Sequence, residues 1–294
     1  MLLRHIRYLK AVADLGSFTR AAQTLHVSQP ALSQQIKELE LRLGAQLLDR
    51  SGRRVRPTDL GRAYLERVGR ALRELDEGAR ALRDVEDLSA GTVRLGITPT
   101  VGTYLIGPVS RRFRASYPNI MLSITVSSHE EFEPALMDDK IDLGIGFADL
   151  PSDDIEVIAL HEERFVLIVS AKRGGARRSV VSAANVANMP MALLTPTFSI
   201  RRMVDRYFRE QGFQANVVVE ANSVSTLIDL VRSTDLATIL PENVAGPGLS
   251  TVKIKPGFEP RRAALLRRRN AYCSAAARAF IATVQGVSGE YAEA

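Results

Sequence analysis

Residues 17–43 read SFTRAAQTLHVSQPALSQQIKELELRL, and their spacing predicts two short helices joined by a tight turn. Ser17 is placed to cap the first, and Phe18, Ala21, Ala22 and Leu25 then share one side. His26 and Val27 interrupt the pattern. Ser28 is a second cap, Pro30 falls in the first turn where its missing N–H costs little, and Leu32, Ile36, Leu39 and Leu43 recur at helical spacing. At about 100° per residue, Pro30, Ser33, Gln34 and Lys37 lie opposite Leu32, with Ser28 and Gln29 at the head of the same helix. Glutamine matches the N6/N7 edge of adenine, serine bonds several base edges, and lysine reaches guanine or phosphate. The second helix therefore has the chemistry of a reader of the DNA major groove. An ordinary helical hairpin with a wetted polar face is the competing account, and the flanking segments decide between them.

On the N-terminal side, Leu2, Ile6, Leu9 and Ala13 form a helical stripe that can cover the back of the motif, and Gly16 ends it. On the other side, Gly44 stops the reading helix. Residues 45–61, AQLLDRSGRRVRPTDLG, carry two short extended runs around Ser51-Gly52, which predicts a β-hairpin wing. Its arginines, Arg50, Arg53, Arg54 and Arg56, are candidates for phosphate or minor-groove contacts. Residues 1–62 hold eleven Arg and Lys against five Asp and Glu, an excess equal to the +6 of the whole 294-residue chain. The positive charge is thus concentrated where a DNA phosphate footprint requires it.

From Thr58, a helix cap, the next proline is Pro99. Leu65, Leu72 and Ala79 repeat every seven residues, with Val68, Leu75 and Leu82 three residues after each. Two interleaved heptad series predict a coiled-coil seam, and about thirty residues at 1.5 Å each span about 45 Å. A homodimer is expected; a helix packed only on its own domain is the alternative.

Strands and helices then alternate. Residues 93–98, 121–127 and 143–147 predict strands around helices at 104–117 and 131–138, a βαβαβ order that implies a largely parallel sheet. A second set has strands at 164–170, 191–194, 216–219 and 237–240, with helices at 200–211 and 223–233. Residues 263–268 are expected to return to the first sheet, and 274–285 to finish as a helix. Ligands of such α/β pairs bind at the carboxyl ends of strands. Hydroxyls gather there: Thr98-Pro99-Thr100, Ser127-Ser128 and Thr195-Pro196-Thr197 each follow a strand. Together with helix-start N–H groups they suit a small anion. Helix capping is the alternative, strongest at Ser128 because Glu131 follows three residues later.

Composition narrows the classes further. With 46% hydrophobic and 24% charged residues the chain is ordinarily globular. No apolar run reaches membrane-spanning length, and MLLRHIRYLK lacks a signal core, so a cytoplasmic protein is expected. The single cysteine, Cys273, excludes an internal disulfide and a thiolate cluster, and no cofactor or metal is expected. A small-molecule-binding protein or enzyme with an appended DNA-binding head is the competing functional class. Catalytic constellations do not support it: His129-Glu130-Glu131 and His161-Glu162-Glu163 lack metal-ligand spacing, and Cys273 has no local partner.

The stretches SFTRAAQTLHVSQPALSQQIKELE, LGAQLLDRSGRRVRPTDLG and the long helix resemble the N-terminal part of LysR-type transcriptional regulators, and the remainder resembles their effector-binding region. Within the family, TPTVGTYLIGPV, VEANSVSTLIDLVRSTDLATILP and LLRRRN are similar to the cyanate-operon branch. The resemblance implies an α/β protein built as a winged helix-turn-helix (1–58), a linker helix (59–90) and two periplasmic-binding-protein-like subdomains (91–162 with 266–294, and 163–265). It further implies promoter DNA, a small effector and possible contact with RNA polymerase as partners, and homodimers assembling to homotetramers. By residue match, Ser28, Gln29, Pro30, Ser33, Gln34 and Lys37 address DNA. Thr98, Thr100, Ser128, Phe147, Thr195, Thr197, Phe198 and Arg201 are assigned to the effector. Members that take larger dicarboxylates can place an arginine after the third strand; Phe147 stands there instead, which favours a small monoanion, helped by Arg201.

Overall fold

The computed structural model describes residues 3–52, 54–83, 88, 90–149, 152–172 and 180–292. The chain divides into two compact units, 1–82 and 83–294.

The first unit begins with α1 (Leu3–Leu15), α2 (Phe18–Thr24) and α3 (Gln29–Leu43). Ser17 Oγ accepts from the Arg20 N–H and Ser28 Oγ from the Ala31 N–H, so both predicted caps close their helices. Gly44 ends α3 in the left-handed conformation. Leu9, Val12, Ala21, Ala22, Leu32, Ile36 and Leu39 form one core with Leu47 and Leu48. The wing is a two-stranded antiparallel ribbon of β1 (Leu48–Asp49) and β2 (Arg56–Pro57), with Leu48 opposite Pro57. Helix α4 (Asp59–Arg83) follows, its Gly61 N–H bonded to Thr58 Oγ at 2.9 Å. Val68 and Leu72, predicted for the seam, pack instead against Ile6 of α1. Leu75 remains 53% exposed, and the side chains of Ala79 and Leu82 lie outside the described residues. One stripe thus serves the helix's own unit over its first half.

The second unit holds β3 (Gly91–Ile97), α5 (Pro99–Tyr104), α6 (Ile106–Ser116), β4 (Ile120–Val126), α7 (Phe132–Met137), β5 (Leu143–Phe147), β6 (Ile155–Glu163) and β7 (Phe165–Ser170). It continues with β8 (Val180–Ser182), α8 (Ala183–Ala187), β9 (Met191–Leu194), α9 (Ser199–Glu210), β10 (Val217–Ala221), α10 (Val224–Ser233), β11 (Thr238–Pro241), β12 (Leu249–Lys255), β13 (Arg261–Arg268) and α11 (Ala275–Ala292). The first sheet has strand order β4-β3-β5-β13-β6; its β4, β3 and β5 are parallel, and β13 runs antiparallel to β5 and β6. In the second half, β11-β7-β12-β8 form one sheet and β10-β9 a parallel pair. The sheets are therefore mixed, where the alternating order predicted largely parallel ones. The reason is that β6, β7, β12 and β13 enter through two crossings between the halves, at Glu163–Phe165 and between Lys255 and Arg261, and cross-strand pairing there is antiparallel.

Strand β6 gave no signal in the sequence because burial along it does not follow polarity: Val157 and Ala159 are exposed while Glu163 is buried. Its charges are answered across the ladder: Glu156 by Arg267 at 2.6 Å and Glu162 by Arg262 at 3.5 Å. Val93, Leu95, Ile97, Val109, Phe113 and Phe280 pack β3, α6 and α11 into one core with the residues of the second half. No helix among the described residues is long and apolar enough to cross a membrane.

Candidate functional site

On α3, Leu32, Ile36 and Leu39 are fully buried, while Ser28, Gln29, Pro30, Gln34 and Lys37 are exposed and Ser33 is half-buried. The fold brings all six together on one face and the head of that helix. The wing arginines divide. Arg50 is bonded to Glu40 at 2.7 Å and lies over the Phe18 ring, 5.1 Å from its centroid. The same Glu40 carboxylate accepts the N–H groups of Leu47 and Leu48 at 2.9 and 3.1 Å. Arg50 is therefore committed to holding the wing on α3 instead of projecting from the ribbon. Arg54 packs its side chain over Gly16, Arg56 is exposed beside Asp49, and Arg53 lies outside the described residues. Ser51, through its hydroxyl and then its N–H, holds the Asp49 carboxyl below the ordinary carboxylate value. Sequence reasoning missed Glu40, because a position ten residues before Arg50 matches no local period.

In the second unit, the ends of β3, β4, β5 and β9 converge on a cavity of about 20 Å³ lined by Thr98, Thr100, Ser128, His129, Phe147, Phe198 and Ser199, among others. Five of the eight effector assignments meet here: Thr98, Thr100, Ser128, Phe147 and Phe198. Thr98 and Thr100 are 4% and 1% exposed, and neither hydroxyl has a hydrogen-bond partner. Buried hydroxyls left unpaired are costly, so such groups mark a place where a ligand or water completes the bonding. Ser128 N–H donates to Glu131 Oε2 at 2.9 Å, as the capping pattern predicted, and Ser128 still faces the cavity. Phe147 is the last residue of β5 itself, with its ring buried.

The other three assignments are placed elsewhere. Thr195 and Thr197 bond each other at 2.9 Å outside the cavity lining. Arg201, expected to assist the anion, is spent on structure: it donates to Leu194 O at 2.8 Å, to both Asp205 oxygens at 2.9 and 3.0 Å, and to Glu220 at 2.6 Å. These bonds clamp α9 between β9 and β10. Burial works against the charge of this guanidinium, and the hydrogen bonds to Asp205 and Glu220 outweigh it, so its proton is held more firmly than usual.

A different arginine stands at the cavity edge. The Arg261 guanidinium lies 3.5 Å from the centroid of the Phe147 ring, donates to Ser199 Oγ at 2.9 Å and to Asp149 Oδ2 at 2.8 Å. His129 Nε2 is 3.3 Å from the other Asp149 oxygen. His129, and then Arg261, hold the Asp149 carboxyl well below the usual carboxylate range against the opposing effect of burial. Beyond these residues opens a wider space of about 770 Å³, lined also by Arg202, Arg206, Tyr207 and Phe258. Arg202 on α9 pairs with Glu130 across it. Position 261 sits in an arginine-rich run with no motif around it, which is why the sequence did not single it out.

Tyr104, His161, Glu163 and Ser288 form a buried polar cluster. Tyr104 Oη donates to the fully buried Glu163 at 2.6 Å and is 2.8 Å from His161 Nε2; Ser288 Oγ is 2.9 Å from His161 Nδ1. Among the described residues no group of His, Cys, Asp or Glu is arranged to hold a metal. Burial pushes the Glu163 carboxyl up to about 7 and lowers the His161 pKa. The folded state therefore retains on Glu163 a proton that the unfolded chain releases from about 4.5 upward, so this contribution is complete below that pH and lost as pH rises through about 7. His161 acts oppositely, contributing above its ordinary 6.5 and losing that as pH falls. Glu163→Gln removes the first effect: its melting temperature, followed by calorimetry from pH 6 to 8.5, should gain about 5 °C on the wild type across that range. Parallel curves for the two proteins would refute the assignment.

The chain is thus a helix-turn-helix DNA-binding unit joined to a mixed α/β unit with a ligand cavity at its strand ends, the plan of an effector-responsive transcriptional regulator. Residues 3–62 match the bacterial regulatory helix-turn-helix family of LysR type, and residues 86–288 match the LysR substrate binding domain; the chain belongs to the LysR family. It is 31% identical to a probable RuBisCO transcriptional regulator of Chlorokybus atmophyticus, over 79% of this chain and 76% of that one. It is 30% identical to the nitrogen assimilation regulatory protein nac of Escherichia coli K12, over 83% and 80%. A full-length OxyR variant from Pseudomonas aeruginosa shares the fold at TM-score 0.71 with 22% identity, covering 98% of this chain and 94% of that one. Full-length CbnR complexed with its target DNA shares it at 0.57 with 23% identity, covering 98% and 100%. The relatives are regulators of transcription and not enzymes, and LysR regulators bind promoter DNA and small-molecule effectors.

Proposed function

We propose that this regulator reads promoter DNA through Ser28, Gln29, Pro30, Ser33, Gln34 and Lys37, grips phosphate with the wing, and responds to a small monoanion held between the two α/β halves. The sensing half rests on one observation, the two buried, unpaired hydroxyls of Thr98 and Thr100 at the cavity. Hydroxyls and a helix start suit a small anion, and the cavity's size excludes a bulky one unless the halves part. An effector that favours one spacing of the halves shifts the protein toward it by its differential affinity. Leu60 and Leu75, exposed on α4, support a homodimer through that helix, with dimers assembling to tetramers. The protein works in the cytoplasm, with RNA polymerase as a further partner.

Selection of binding sites from random duplex DNA, followed by titration at several salt concentrations, tests the DNA half. Gln34→Ala should cost about 10- to 100-fold on the selected site and relax one base position, whereas Lys37→Ala should weaken all sequences alike and reduce the salt slope by about 1. Indifference of the wild type to sequence would refute it. A thermal-shift screen of small anions, cyanate included, against small neutral compounds tests the sensing half. Thr100→Val should weaken the best stabiliser at least about tenfold while leaving DNA affinity unchanged. A stabiliser that is neutral would remove the anion from this reading and leave the cavity in it.

A further inference from the structure

The Asp149–Arg261 pair has the geometry of an occupied anion site. Arg261 is 15% exposed, its guanidinium is stacked on Phe147, and its two terminal nitrogens are each used once, on Ser199 Oγ and on Asp149 Oδ2. These partners come from three places: Phe147 and Asp149 from the end of β5, Arg261 from the first residue of β13, and Ser199 from the first residue of α9. Glu163, opposite Arg261 in the β13–β6 ladder, is held toward its neutral form, and Glu130, Glu133 and Glu259 line the wider space beside Arg261 together with Arg202 and Arg206. Asp149, by contrast, is 58% exposed. The two partners are therefore unequal: the guanidinium is fixed and largely dry, while the carboxylate reaches water on one side and meets His129 Nε2 at 3.3 Å on the other.

We propose that Asp149 is a built-in competitor for the effector, and that Arg261 is the residue that reads the effector's charge. The inference rests on the cavity reading given above and names the recognition chemistry of that site. A small monoanion with oxygen acceptors, entering beside Thr98 and Thr100, takes over the Arg261–Ser199 donors, and Asp149 rotates to solvent. Releasing Asp149 gives up its contacts to both Arg261 and His129, each worth little at a carboxylate 58% exposed, while the incoming anion gains a planar donor fork in a drier place. A neutral ligand cannot make the exchange. Because Ser199 belongs to the second half and Asp149 to the first, the exchange removes a bond by which the guanidinium ties the two together.

The test uses the full-length protein at constant ionic strength, with acetate, bicarbonate, nitrate and cyanate as probes in thermal-shift and calorimetric titrations. Asp149→Asn, at an exposed position, should lower the half-saturating concentration of at least one probe about tenfold or more. Arg261→Lys in the Asp149→Asn background should raise it again about tenfold, and Arg261→Gln should abolish the response, with circular dichroism reporting whether each variant folds. Equal half-saturation in wild type and Asp149→Asn, including no response in either, overturns the proposal. So does a response that survives Arg261→Gln in the folded double variant. If the arginine variants fail to fold, the Asp149→Asn comparison alone decides. A neutral stabiliser lost in Thr100→Val but untouched by Asp149→Asn leaves the cavity reading intact and overturns only the exchange.

Discussion

Gly61→Ala should unfold the DNA-binding unit, although glycine to alanine inside a helix ordinarily stabilises by about 1 kcal/mol. A Cβ at position 61 would stand 2.0 Å from the Leu47 carbonyl oxygen and 2.9 Å from its carbon. Those are backbone atoms of the segment entering the wing, and they are pinned there: Leu47 O accepts the Thr58 N–H at 2.9 Å, and Thr58 Oγ donates to Gln46 O at 2.7 Å. No rotamer change relieves the overlap, so α4 or the wing must move off the core formed by Leu47 and Leu48. We expect a loss of more than about 3 kcal/mol, a large share of a small unit's stability. Gly78 of the same helix has nothing within 4 Å of its would-be Cβ, and Gly78→Ala should gain up to about 1 kcal/mol. Calorimetry and DNA titration of the two variants give opposite signs if the close approach is the cause; equal effects would contradict it.

Arg201→Ala should act on stability and not on effector recognition. Arg201 is 9% exposed, and its guanidinium answers the Leu194 carbonyl, Asp205 and Glu220 at once. Truncation leaves a buried carbonyl without its donor and two part-exposed carboxylates without their shared partner, which costs about 2 kcal/mol, or about 5 °C for a unit of this size. The melting temperature should fall by that amount, while the temperature increment produced by a saturating anion stays the same. A lost increment with an unchanged melting temperature would restore Arg201 to the effector site.

The contrast between Arg201 and Arg261 shows where a sequence stops informing. Arg201 stands close to Thr197 in the chain, which made it the natural cation for a hydroxyl-lined site. Its real employment was nonetheless signalled locally: Asp205 is four residues on, the spacing that pairs side chains on a helix. Arg261 carried no such signal, since its partners Asp149 and Ser199 are 112 and 62 residues away. The same holds for α4. Its heptad spacing is real, but an apolar stripe looks identical whether it meets α1 of its own unit or a second copy, and Ile6 takes Val68 and Leu72 first.

What the chain settles by itself is whatever depends on neighbours along it. Caps at Ser17, Ser28 and Thr58, the stop at Gly44, the buried Leu32–Ile36–Leu39 stripe with its polar reverse, and the strand 191–194 were legible because backbone hydrogen bonding and side-chain direction repeat over a few residues. Tertiary structure alone decided that Arg50 is a brace, that Arg201 also reaches Glu220, that β6 is a strand, and that Arg261 faces Phe147. A charge is satisfied by whichever opposite group lies within about 4 Å, and that distance is set by how distant segments cross, which no local period encodes.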